Sequence, residues 1–209
     1  MPFFPQDGWP IGVLAGGDYP VEAMREWLHH APIVLAADGG ANRCQAAGVA
    51  PDWVIGDFDS AQPSALEFAK NLRHVTDQST TDCDKLLALA IELGLPRIAL
   101  MCSEGDRPDH TLATYHSALR APIQTRFILR SGWAEPFIAS NWRANIPVGA
   151  RFSILPLTAS RVSATGLEWS FDMQAVDATG FSSVSNRTVS ENVEVIVESG
   201  AVIVFVGLD

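Results

Sequence analysis

The run Ile33-Val34-Leu35-Ala36-Ala37-Asp38-Gly39-Gly40-Ala41-Asn42 decides how this chain is read. Five apolar residues without a polar break fit a strand buried on both faces, as a parallel sheet requires. An aspartate and two glycines end it, and a short helix is predicted over residues 42–47. The same unit recurs on either side. Upstream, residues 11–15 form an apolar strand that runs into Gly16-Gly17-Asp18, with a helix over 21–29. Downstream, the strand 53–55 runs into Gly56-Asp57-Phe58-Asp59-Ser60. Residues 63–71 read as helical and 74–76 as extended. A helix over 82–93 places Leu86, Leu89, Ala90 and Leu93 on one stripe, with Thr81 as its cap and Asp84 three residues on. A strand at 97–101, a helix at 109–119 and a strand at 126–129 continue the alternation. The expected fold is α/β, a mainly parallel sheet with flanking helices, Rossmann-like in kind.

After about Ser131 the pattern changes to short extended segments at 152–155, 161–164, 193–198 and 201–206. Gly149, Gly166, Gly180 and Gly200 punctuate them. Residues 193–198 alternate apolar and polar, as a half-buried strand does. The expected organisation is an α/β domain over 1–131 and a small all-β sandwich over 132–209.

Hydrophobic residues make up 47% of the 209, so the chain can bury a core in each domain. A net charge of −10, with Lys70 and Lys85 as the only lysines, argues against nucleic acid and anionic membranes as partners. It does not bar a small anion bound through a divalent cation. Cys44, Cys83 and Cys102 lack metal-ligand spacing and read as reduced thiols of a cytoplasmic protein. The opening MPFFPQDGWP has no basic segment ahead of a long apolar run, so no signal peptide is expected.

In a parallel sheet, the loops leaving the carboxyl ends of the strands converge on one crevice. Four acidic loops fall there: Asp38 to Gly40, Gly56 to Ser60, Asp77 to Asp82, and Gly105 to His110. In an extended segment Asp57 and Asp59 point to the same side, where they can share a magnesium ion while Phe58 turns into the protein. Asp82 and Lys85 neighbour each other on the first turns of a helix. Lysine at the wrong end of the helix dipole suits phosphate oxygens better than it suits the helix. Arg107 can grip phosphate with two parallel hydrogen bonds. Asp109 and His110 occupy the cap and first turn of the next helix. Gly16 and Gly17 are small enough for a nucleotide to approach the backbone. There is no GxxxxGK[ST] loop and no HExxH motif.

Taken in order, six segments resemble the thiamin pyrophosphokinase family. They are Ala37 to Asn42, Pro51 to Ser60, Asp77 to Lys85, Gly105 to Ala113, Thr165 to Trp169, and Ser183 to Asn186. The resemblance implies an N-terminal catalytic domain that binds nucleotide and magnesium. It implies a C-terminal β-sandwich for thiamine binding and dimerisation, in a homodimer with active sites between subunits. The implied reaction moves the pyrophosphoryl group of ATP to the hydroxyl of thiamine, with magnesium required. Metal or phosphate binding would fall to Asp38, Asp57, Asp59 and Asp82, and phosphate holding to Lys85 and Arg107 with Asp109 in support. Gly16, Gly17, Asp38, Gly39, Asn42, Gln78, Thr81 and His110 would lie on the nucleotide side. Gln78, Trp169, Ser185 and Asn186 would serve thiamine, a cationic aromatic on which an indole can stack. Asp106 stands where the family usually has glycine, so its carboxylate is expected to face away or join the metal shell. Thr114 stands where asparagine is common. Two other readings remain open on the residues alone: a diphosphokinase of another hydroxymethyl heterocycle, and a binding module with a retired site.

Overall fold

The computed structural model describes residues 8–17, 19–105 and 107–207. The chain divides into two compact units, the first ending at Leu129 and the second beginning at Arg130.

In the first unit the elements are β1 (Ile11–Val13), α1 (Val21–His30), β2 (Val34–Ala37), α2 (Gly40–Ala47), β3 (Trp53–Gly56), α3 (Pro63–Phe68), β4 (Leu72–His74), α4 (Asp82–Glu92), β5 (Arg97–Met101), α5 (Pro108–Arg120) and β6 (Gln124–Leu129). All six strands run parallel, in the order β6-β5-β1-β2-β3-β4. Chain order reverses between β1 and β5, so the loops leaving those two strands part and leave a crevice at their carboxyl ends. The unbroken apolar runs of β1 and β2 are fully buried, as their sequences require. Helix α4 buries Leu86, Leu87, Leu89 and Ala90, and it packs on β2 and β3 beside α5. Leu93 ends outside this stripe, partly exposed at the helix C-cap. Gly40 opens α2 hard against β1, where a Cβ would stand 2.2 Å from the Val13 carbonyl oxygen.

Several boundaries differ from expectation by a residue or more, among them α2, which starts at Gly40, and β6, which starts at Gln124. Helix α3 stops at Phe68 because Ala69 is extended and the Lys70 amide turns to the Pro51 carbonyl. The next strand therefore starts earlier than expected, at Leu72, where it pairs with Val54. Helix α5 begins at Pro108, which suits a first helical position because its missing N–H would go unpaired anyway. Arg107 takes the cap position, and Asp109 sits inside the first turn rather than capping it.

The second unit contains β7 (Gly132–Ile138), β8 (Asn141–Asn145), β9 (Arg151–Pro156), β10 (Ser160–Thr165), β11 (Phe171–Val176), β12 (Ser183–Arg187), β13 (Asn192–Ser199) and β14 (Ala201–Gly207). Its strands pair antiparallel in two sets, β12-β9-β14-β7 and β11-β10-β13-β8. Trp142 of β8 lies 5.9 Å from Trp133 of β7 and 5.8 Å from Phe152 of β9, ring centre to ring centre. One indole thus joins the two sets. Val193, Val195 and Val197 alternate inward along β13, following the period-two pattern of the sequence. Among the described residues, no helix is long and apolar enough to cross a membrane.

Candidate active site

The strand ends of the first unit are strained where they meet the crevice. Asp38 follows β2 at φ +42, Phe58 follows β3 at φ +67, and Cys102 follows β5 at φ +57. Each is a non-glycine residue in the left-handed region, which costs on the order of 1–2 kcal/mol. Such strain persists only where surrounding contacts hold it, and it gathers at functional sites. Here the Asp38 amide donates to the Ile55 carbonyl at 2.9 Å. Gly56, at φ +154, leaves room below: a Cβ there would stand 2.9 Å from the Asp38 Cβ.

Asp38, Asp57 and Asp59 converge, with one carboxylate oxygen from each lying within 4.8 Å of the others. The segment is a turn rather than an extended strand, which corrects the expected geometry. Left-handed Phe58 reverses the chain, and the Asp59 amide donates back to Asp57 Oδ1 at 3.3 Å. The Phe58 ring goes to the sheet edge and stacks on His74 at 5.2 Å. Asn42 braces the loop from outside, donating to the Ser60 carbonyl at 2.9 Å and accepting from the Gln62 amide at 2.7 Å.

The electrostatics are unbalanced in favour of a cation. Asp38 is 2% exposed, and its Oδ1 has no hydrogen-bond partner among the described residues. Burial, then the charge of Asp82 and the neighbouring Asp59, push its carboxyl up to about 6. Asp57 moves the other way, held below the usual carboxylate range by the Gln78 amide at 2.6 Å and then by the Asp59 amide. A buried carboxylate oxygen facing two more carboxylates fits a divalent cation with oxygen ligands. Asp82 is outside this trio. It lies 3.7 Å from the Lys85 ammonium, which is 6% exposed.

These groups line one cleft of about 560 Å³, which brings together Gly16, Asp38, Asp57, Asp59, Gln78, Thr81, Asp82, Lys85, Asp109 and His110. Thr81 and Asp84 form a reciprocal capping box that fixes the start of α4 and thus the reach of Asp82 and Lys85. Gly17 and Arg107 line an adjoining cavity of about 280 Å³ instead. Gly39 is the residue before α2, and neither it nor Asn42 lines the cleft. Arg107 is exposed and clamped to Asp109 at 2.7 Å, which holds the Asp109 carboxyl below its usual range. Thr114 lines the cleft, but its hydroxyl donates to the His110 carbonyl of its own helix. Asp106 lies outside the described residues.

Two residues on the site's border escaped the sequence reading. Ser103, just past β5, is 5% exposed, and its hydroxyl has no partner among the described residues. Arg43 donates twice to the Ala15 carbonyl and so ties α2 to the loop after β1. Ser103 gave the weak signal of a small polar residue at a strand end. Arg43 gave none, because its role depends on which loop folds over it.

In the second unit the three expected thiamine residues differ in kind. Trp169 is 60% exposed. Ser185 is exposed at φ +58, its amide donating to Ser153 Oγ at 3.0 Å. Asn186 is 1% exposed, and its amide is fully occupied by neighbouring protein groups.

A carboxylate cluster and a buried lysine at the ends of parallel strands make a cleft whose residue types fit a cation-complexed phosphate compound. A model for the catalytic domain of thiamin pyrophosphokinase matches residues 24–129, and one for its vitamin B1 binding domain matches residues 145–202. The chain belongs to the thiamin pyrophosphokinase family, and it is an enzyme of that kinase class. It is 26% identical over 199 residues to Thiamine pyrophosphokinase 1 of Arabidopsis thaliana, an alignment covering 79% of this chain and 74% of that protein. Its fold is similar to that of Candida albicans thiamin pyrophosphokinase, with a TM-score of 0.82, 16% identity, and coverage of 98% and 90% of the two chains. It is also similar to the Bacillus subtilis thiamine pyrophosphokinase, with a TM-score of 0.79, 19% identity, and coverage of 96% and 99%.

Proposed function

We propose that this chain transfers the pyrophosphoryl group of ATP to the hydroxyl of thiamine, giving thiamine diphosphate and AMP. The observation that carries the reading is the convergence of Asp38, Asp57 and Asp59 in the same cleft as the buried Lys85. The thiamine oxygen bonds to the β-phosphorus, the bond from that phosphorus to the α-bridging oxygen breaks, and AMP leaves. The hydroxyl proton passes to solvent. Such a transfer needs placement and charge neutralisation more than a strong base.

Magnesium held by Asp38, Asp57 and Asp59, with Asp82 at its border, would neutralise phosphate charge. Lys85 holds the oxygens of the transferring group, and the burial of its ammonium strengthens that contact. Arg107 grips a phosphate, with Asp109 fixing its guanidinium. Gln78 orients Asp57 and faces the reacting hydroxyl. Gly16 and Gly17 let the nucleotide approach the backbone, Gly39 turns the chain into α2 behind them, and Thr81 and His110 complete that wall. Asn42 acts through the loop it braces. Trp169 stacks on the cationic thiamine rings, with Ser185 beside it.

We assign catalysis to residues 1–131 and thiamine binding and dimerisation to residues 132–209. The parallel order with its reversal at β1 supports a Rossmann-like first domain. The ring contacts of Trp142 support a sandwich for the second. A cytoplasmic homodimer with active sites completed between subunits accords with the three free, buried thiols and with the apolar surface of the second unit at Trp169, Phe181 and Val184. The experiment is a substrate panel with ATP and magnesium: AMP should form with thiamine and not with a hydroxymethyl pterin. AMP release on the pterin alone would move the assignment to another heterocycle.

A further inference from the structure

We infer that Asn186 is a positioning residue for Trp169, acting through the tryptophan backbone and never touching substrate. The inference rests on the reading of Trp169 as the thiamine-stacking group. Next to β12, the chain ahead of Trp169 runs antiparallel to the strand's end. Leu167 bridges Thr188, and the Glu168 amide donates to the Arg187 carbonyl at 2.8 Å. At Trp169 a side chain takes over from the backbone. Asn186 Oδ1 accepts from the Trp169 amide at 3.1 Å, and Nδ2 donates to the Trp169 carbonyl at 2.9 Å. The Asn186 amide therefore stands in for a strand partner, satisfying both polar groups of one residue.

The rest of the amide is spent as well. Oδ1 also accepts from the Arg187 amide at 2.8 Å, and Nδ2 also donates to Ser183 Oγ at 3.3 Å. Two acceptor and two donor sites exhaust what this side chain has, so none is left for a ligand. Local backbone explains how it turns inward. The pairing of β12 with β9 shifts register between Ser183 and Asn186, and Ser185 between them is left-handed at φ +58. Gly166, at φ +81, permits the turn on the other side, where a Cβ would stand 2.4 Å from the Asn192 carbonyl oxygen. The outcome is an indole that is 60% exposed on a backbone pinned by a side chain that is 1% exposed. Aspartate cannot replace asparagine here: it keeps the acceptor, loses the donor, and sets a carboxylate against the Trp169 carbonyl.

A double-mutant cycle tests this. Trp169→Ala, Asn186→Asp and the pair are compared by KM for thiamine, KM for ATP, kcat and thermal midpoint. Asn186→Asp should raise the thiamine KM about tenfold, roughly the loss of one well-made hydrogen bond. It should leave the ATP KM and the kcat at saturating thiamine near wild type. In the Trp169→Ala background it should add nothing to the thiamine KM. Full additivity would overturn the inference, since Asn186 would then act on substrate by itself. An unchanged thiamine KM in Asn186→Asp would overturn it too. An unchanged thiamine KM in Trp169→Ala alone would instead sink the stacking role on which the inference rests. Should Asn186→Asp fold poorly, Ser183→Ala removes only the outer anchor of the amide and should raise the thiamine KM by about twofold to threefold. No rise in that variant would count against the clamp.

Discussion

The acidic cleft and the Trp169 turn solve opposite problems of recognition. The cleft crowds like charge: Asp38 Oδ1 has no hydrogen-bond partner among the described residues, and three carboxylates face each other within 4.8 Å. The turn exposes an apolar ring and hides the polar group that holds it. In the cleft, affinity comes from relieving electrostatic strain, so it depends on a cation and on pH. At the turn it comes from placing a rigid aromatic face, so it depends on backbone geometry. Both regions set a non-glycine residue in the left-handed conformation beside a key group, Phe58 in one and Ser185 in the other. Rigid, slightly strained backbone is the shared device, and what it presents is the difference.

Substitutions can break this contrast. The largest effect is expected at the carboxylate trio. Asp57→Asn should lower kcat on the order of a thousandfold with the thermal midpoint little changed, because metal-supported charge stabilisation is worth several kcal/mol. Activity within a few-fold of wild type would remove the trio from the chemistry. Next is Trp169→Ala, which should raise the thiamine KM about tenfold to thirtyfold and leave the ATP KM alone. A matching rise in the ATP KM would erase the division of labour between the two regions.

The cleft should also show its strain in the metal-free protein. The Asp38 carboxyl is pushed up to about 6 from an ordinary value of 3.8. Its folded pKa is raised, so its contribution to stability is full below about pH 4 and lost as pH rises through about 6. Asp38→Asn should flatten that part of the stability profile and raise the metal-free thermal midpoint at pH 7.5 by about 2–4 °C. A lower midpoint in that variant would mean the carboxylate is stabilised rather than strained. The smallest effect belongs to the capping box. Thr81→Ala should cost about 1 kcal/mol of stability and lower kcat only modestly, read by thermal melts beside steady-state rates.

Much of the first unit was legible because its local signals agree. Unbroken apolar runs such as Val34 to Ala37 are too short for a buried helix and fit strands in a sheet covered on both faces, and Asp-Gly pairs mark where they stop. The candidacy of Asp38, Asp57, Asp59, Asp82 and Lys85 followed from that placement, and the fold brings all five to one cleft. Their arrangement did not. Whether Asp57 and Asp59 converge by extension or by reversal turns on the φ angle of Phe58, and a phenylalanine gives no sign of adopting a left-handed conformation. The second unit was less legible. Strands such as Asn141–Asn145 and Ser183–Arg187 are polar on the open side and are made by tertiary pairing rather than propensity. Asn186 reads as a turn residue in sequence, and only its burial against Trp169 shows what its amide does.

In pyrophosphoryl transfer the two phosphoryl groups move as one. ATP labelled in its γ-phosphate, incubated with thiamine, magnesium and the protein, decides this by following the label and the nucleotide together. The expected result is labelled thiamine diphosphate formed in equal amount with AMP, and neither product without thiamine. Labelled thiamine monophosphate accompanied by ADP would contradict it.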